Sequence, residues 1–378
     1  AIFLGHFGEI ELGASALAGI WYLAIYMLGF GFSLGLQVVI ARRNGEQHYI
    51  ETGKTFFQGL FFLSGLAMIL CLLSKLFSPA ILRNLITSTE VYEAVIDYLD
   101  WRIWGLLFSF PFLALRSFLV GITRTKALNM AALTAVLVNI PCNWLFIFHW
   151  NMGIAGAAIA SSFAELCSLA MLTTCVLRNK DRLCYGLHLQ FDINLLKHIF
   201  HVSVWSMFHS FISVAPWFMF FVAIEHLGEL QLAAANIIRS ISTLFFVIVN
   251  SFAATTGSLV SNLIGANEKD SVLPLCHRII RLGYAIGFPL IVLALIFYHP
   301  VIGIYTDNPL ILQIAWLPFV VMLLNYVFAL PGYVYMNAVT GTGATRTAFI
   351  FQAVIIVAYL CYLWGLADGM FRLPSIGL

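Results

Sequence analysis

Blocks of about 20 or more largely apolar residues alternate with short polar connections along nearly the whole chain. About 20 apolar residues is the length at which a helix crosses a roughly 30 Å hydrocarbon core. The pattern predicts ten complete spans, at 12–41, 55–73, 103–120, 127–148, 153–177, 199–224, 232–264, 282–298, 311–339 and 347–366. A membrane barrel would show alternating segments of about ten residues instead of solid apolar blocks. The expected class is therefore an all-α integral membrane protein.

The pattern repeats. "HFGEIELGA" at 6–14 returns as "HLGELQLAA" at 226–234, with five of nine positions identical at an offset of 220 residues. At the same offset Phe32 matches Phe252, Gly45 matches Gly265, Pro111 matches Pro331 and Gly121 matches Gly341. Six spans separate each copy from its partner, so both copies have the same membrane orientation, as in parallel transporter repeats. Two six-helix lobes follow as pseudo-symmetric repeats, at 1–177 and 198–378, joined by a basic linker at 178–197. Symmetry predicts that the first and twelfth helices are largely absent from this chain.

Composition agrees with a lipid solvent: 61% of residues are hydrophobic, 10% are charged, and the mean hydropathy is +0.95. The net charge of +2 is spread thinly over connections and points to no nucleic-acid partner. Taken alternately, one set of loops holds thirteen basic residues and the other only Lys75, Arg83, Arg102 and Arg372. The bias places the first set, with the linker and both ends of the intact protein, in the cytoplasm. The seven cysteines show no CxxC spacing, which indicates neither a zinc site nor a disulfide framework.

"GHFGEIELGASA" with "EHLGELQLAAANIIRS", "RSFLVGITRTKAL" with "NAVTGTGATRTAF", and "LVNIPCNWLFIF" followed by "MGIAGAAIASSFAE" resemble the multidrug and toxic compound extrusion (MATE) transporters of bacteria, over essentially the whole chain. The resemblance implies a two-lobed, twelve-helix antiporter of the inner membrane. It would export small amphipathic, often cationic compounds in exchange for Na⁺ or H⁺, with no other cofactor, as a monomer. Some branches of the family use an acid in the first helix, others acids in the seventh and tenth; at the latter positions this chain offers small or polar residues such as Ser213 and no mid-span carboxylate.

Charges inside spans cost roughly 2.5–3.5 kcal/mol each even on a lenient scale, so they point to function. The spans as drawn contain Arg116, Glu165 and Arg239. Glu165, the single carboxylate among them, is the candidate for binding the coupling cation or proton, against the plainer reading of a structural ion pair. Arg239 has Gly19 as its repeat partner and is a candidate cavity residue and inter-lobe partner of Glu165. Arg116 lies nearer the cytoplasmic end, where it can snorkel. Gln37, Asn143, His209, Asn236 and Ser213 are polar at span depth and either line a cavity or bond across helices. "GIAGAAIASS" reads as a small-residue packing ridge.

Three function classes follow. The leading reading is a cation-coupled exporter. A flippase for lipid-linked saccharides would need a more basic cavity, and a membrane enzyme would need a nucleophile with its base, or a metal cluster. No HExxH or P-loop spacing occurs.

Overall fold

A computed structural model describes residues 4, 9–86, 88–178, 183–187, 190–213, 216, 229–303, 305 and 309–367. Among the described residues every regular element is a helix. In chain order these are α1 (Glu9–Gly45), α2 (Tyr49–Leu85), α3 (Thr89–Arg102), α4 (Leu106–Gly121), α5 (Lys126–Trp144), α6 (Gly153–Arg178), α7 (Ile193–Ile212), α8 (Glu229–Gly265), α9 (Val272–Ile296), α10 (Tyr298–Gly303), α11 (Pro309–Gly341) and α12 (Thr345–Ala367). A 3₁₀ turn, Ile103–Gly105, joins α3 to α4, and a π turn, Leu145–His149, extends α5.

Nine helical stretches among the described residues are long and apolar enough to cross a membrane. They match nine of the ten expected spans. The tenth, expected at 199–224, begins on α7, and most of its second half lies outside the described residues. The third span is corrected: it runs over Thr89–Gly121, not from residue 103. Glu90, Glu93, Asp97, Asp100 and Arg102 dilute its hydropathy, yet Val95 and Leu99 are buried on the same helix. Lys75, Arg83 and Arg102, assigned above to loops, consequently lie on helices.

The chain divides into two units, 1–211 and 212–378. In the first, Phe32, Leu36, Leu63, Phe110 and Leu113 form a buried core, with Phe32 stacked on Phe62 at 4.2 Å between ring centres. Part of the expected linker belongs to this unit. The Gln58 side chain donates to the Gln190 carbonyl at 2.6 Å and accepts from the Asp192 backbone N–H at 3.1 Å. The Asp192 carboxylate then caps α7 by accepting from the N–H groups of Asn194 and Leu195, the usual role of an aspartate before a helix. Helix α7 packs on α1 at glycines: a Cβ on Gly31 would lie 2.5 Å from Met207 Cα, and one on Gly35 2.5 Å from Ser203 Cα. In the second unit Phe319, Leu323, Tyr326 and Leu330 are buried. There Tyr326 passes over Gly287 and donates to the Gly283 carbonyl at 2.9 Å.

The 220-residue offset holds to the residue. Helix α1, Glu9–Gly45, maps onto α8, Glu229–Gly265, and the pair α3–α4, spanning Thr89–Gly121, maps onto α11, Pro309–Gly341. The turns match too: Gln47 and Asn267 have φ of 61° and 63°, and Thr123 and Gly343 have 60° and 89°. Each is the left-handed residue that closes a helix end. One difference stands out. The 3₁₀ turn after Arg102 has no counterpart, because α11 runs unbroken through the equivalent positions. A tightened turn inside a long helix marks strain or a hinge.

Candidate functional site

Glu165 sits midway along α6, and the end of α3 brings Arg102 to it. Arg102 Nη1 donates to Glu165 Oε2 at 3.0 Å and Nη2 to Oε1 at 2.5 Å. This two-pronged geometry matches the planar guanidinium fork to both carboxylate oxygens. The Arg102 side chain is only 11% exposed and that of Glu165 26%, so each charge is largely compensated by the other instead of by water. The guanidinium also lies over the Tyr22 ring of α1, 3.9 Å from its centre. Such stacking suits arginine better than lysine.

Hydroxyl groups ring the pair. Tyr22 OH lies 3.4 Å and 3.5 Å from the two Glu165 oxygens and 3.1 Å from Ser109 Oγ. Ser109 Oγ lies 3.5 Å from Glu165 Oε2 and donates to the Gly105 carbonyl at 2.8 Å. Ser162 Oγ, one turn before Glu165 on α6, is buried without a hydrogen-bond partner. Gly105, in the 3₁₀ turn, leaves room for all of this. A Cβ there would run into Arg102 Nη1, sit 2.6 Å from Glu165 Oε2 and 3.0 Å from Ser162 Oγ.

From Tyr22 an aromatic stripe runs along α1 at four-residue intervals, the spacing of one helix face. Tyr22 stacks on Tyr26 and Tyr26 on Phe30, each at 6.3 Å, with Phe110 edge-on to Tyr26. Arg116 of α4 caps the far end, 5.5 Å from the Phe30 ring centre.

Sequence candidates thus fall into separate places. Glu165 and Arg116 border one stripe in the first unit. Within the first unit the structure gives Glu165 an ion pair, as in the plainer reading, with Arg102, which the shortened third span had left outside the membrane. Arg239 lies in the second unit, on α8, with Nη2 3.5 Å from Asn236 Oδ1. Asn143 Nδ2 donates to the carbonyl and side-chain oxygens of Asn139, at 2.8 and 2.9 Å, and Asn139 lies 3.5 Å from Ser161. That chain of amides ties α5 to α6. Gln37 is buried on α1, His209 is half-buried on α7, and Ser213 follows α7.

Arg102, Tyr22, Ser109 and Ser162 were missed as a site. The signal that would have found Arg102 is the repeat itself, since a span beginning at 311 in the second copy requires one beginning near 91 in the first. Neither Arg102 nor Tyr22 is demanded by the repeated fold, because the equivalent positions are Met322 and Ser242. Among the described residues no cluster of three or more His, Cys, Asp or Glu side chains could hold a metal ion.

Comparison with known proteins supplies the family. The sequence profile described as MatE matches residues 1–145 and 206–363. Multidrug resistance protein MdtK of Pectobacterium atrosepticum is 25% identical over 380 aligned positions, covering 97% of this chain and 81% of that protein. Multidrug resistance protein NorM of Vibrio cholerae is 22% identical, over 83% of this chain and 70% of its own. Among solved structures, the bent form of the Vibrio cholerae MATE transporter VcmN superposes with a TM-score of 0.86 at 17% identity, over 100% of this chain and 85% of that one. An outward-facing MATE family multidrug resistance transporter of the MOP superfamily gives 0.87 at 18% identity, over 93% and 79%. Two helical repeat units, span-length helices and a profile match over most of its length make this chain a membrane transporter of the MatE family.

Proposed function

We propose that the protein is a secondary active antiporter that exports small amphipathic, cationic compounds in exchange for Na⁺ or H⁺ by alternating access. Its place would be the bacterial inner membrane, with the basic linker in the cytoplasm and a single chain as the working unit. The names of its relatives support drug extrusion as the task. The observation that carries the coupling is the largely desolvated Arg102–Glu165 pair, whose arginine is replaced by Met322 in the second repeat.

The chemistry follows from competition. Glu165 has one resident cation, the Arg102 guanidinium, and is surrounded by the oxygens of Tyr22, Ser109 and Ser162. A proton or Na⁺ arriving at Glu165 takes the place of Arg102, and so does a cationic substrate. Occupancy by one excludes the other, which is the condition for exchange. Releasing Arg102 leaves a cation without its counter-charge beside the 3₁₀ turn. That gives the two occupancies different energies in two conformations, as any ligand-driven shift requires. The flippase reading is less favoured, because Arg102 is neutralised by Glu165 and the named relatives are multidrug resistance proteins.

The test is reconstitution of the intact protein in liposomes, with Na⁺ and proton gradients imposed separately while a fluorescent organic cation is followed. Wild type should move the dye under one gradient and Glu165→Gln should lose at least tenfold of that rate. Full gradient-driven export by a folded, monodisperse Glu165→Gln protein removes the coupling role.

A further inference from the structure

The second charge on the aromatic stripe is not compensated. Arg116 takes part in no ion pair among the described residues, and its Nη1 is buried without a hydrogen-bond partner. The guanidinium lies over the face of Phe30. Arg102, at the other end of the same stripe, shows the alternative arrangement: a guanidinium on an aromatic face with a carboxylate gripping its edge. The fold does not require a cation at Arg116, since the equivalent position of the second repeat is Met336.

We propose that Arg116 binds a carboxylate carried by the transported compound, so that aromatic zwitterions are preferred over simple organic cations. This rests on the exporter reading and names its substrate class. The side chain is half-buried, in line along α4 with half-buried Phe112 and Val120 while 113–115 and 117–119 are buried. Its Nη1 is buried while the residue as a whole stays partly exposed. A fork with free N–H donors recognises a planar carboxylate in two-point geometry, which a point charge does not. Tyr26, Phe30 and Phe112 offer aromatic surface beside it. Eight residues separate Tyr22 from Phe30, about 12 Å of helix. A flat compound with cationic and carboxylate ends about that far apart matches Glu165 at one end and Arg116 at the other.

The probe is a pair of xanthylium dyes that differ only in a free carboxylate or its methyl ester. Equilibrium binding to the intact protein is read by fluorescence anisotropy in phosphate-free, uncharged maltoside detergent, so no lipid phosphate competes. Wild type should bind the acid about tenfold more tightly than the ester. Arg116→Met should bring acid affinity down to that of the ester without changing the ester's own, and Arg116→Lys should keep part of the preference. Unchanged ester affinity also certifies that the variant is folded. Equal binding of acid and ester by wild type, or an undiminished preference in Arg116→Met, overturns the proposal; the wild-type comparison decides even if the variants fail to fold. Gradient-driven export of the ester is measured separately. Export with no acid preference sinks the carboxylate site alone, and acid preference without export sinks the exporter reading alone.

Discussion

Gly105 shows how closely the charged site is fitted. The missing side chain is what lets Arg102, Glu165 and Ser162 converge on one point, and a methyl group there must push the tips of the charged pair out of their two-pronged geometry. Gly105→Ala is expected to destabilise by about 1–3 kcal/mol, the usual range for overpacking, seen as a lower melting temperature in detergent. At Glu165 the expectation depends on the partner. Glu165→Gln alone leaves Arg102 buried without its counter-charge, which costs about 3–5 kcal/mol, whereas neutralising both members costs far less. Thermal unfolding of Glu165→Gln beside Arg102→Gln/Glu165→Gln should show the double variant as the more stable. The opposite order would mean that the pair does not compensate itself.

Single elements carry the repeat with a precision the sequence largely exposes. The nonamer and the matched Gly and Pro landmarks locate α1 and α8, and the structure gives both the same 37-residue length. What stayed hidden was the first half of the third span. Its acidic face lowers the apolar average, so hydropathy ended the span at the residue whose charge matters most. Arg102 belongs to the membrane because Glu165 neutralises it, and a partner 63 residues away leaves no local mark in the sequence. The candidate residues were legible as unusual, but their pairing was not: Glu165 was recognised, Arg102 was passed over, and Arg239 lies on another unit. The turns yield a prediction of their own. Thr123 holds a left-handed backbone at φ 60° where its repeat partner is Gly343, and a β-branched residue there carries about 1–2 kcal/mol of steric cost. Part of that returns as the backbone entropy of glycine, so Thr123→Gly should stabilise by about 0.5–1 kcal/mol. A drop in melting temperature would contradict this account of the turn.

For the whole molecule, the repeat supplies two similar units and the charges make one of them different. Helix α7 is part of the first unit's packing, held by Gly31 and Gly35 of α1 and by the Gln58 clamp on the linker. A bulkier residue at Gly35 must separate α7 from α1, because the neighbour is backbone and not a movable side-chain tip. Gly35→Val is expected to lower both thermal stability and export, read on the same purified sample, while a conservative change at exposed Leu72 should alter neither.

The claim that joins these scales is that Glu165 exchanges Arg102 for the coupling ion. Its most direct test is gradient-driven dye export by the Arg102→Gln/Glu165→Gln protein in liposomes, because that variant keeps the site uncharged and the fold intact. The account predicts a folded protein that no longer moves dye in response to either a Na⁺ or a proton gradient. Gradient-driven export at the wild-type rate would contradict it and leave the pair a purely structural feature of the first unit.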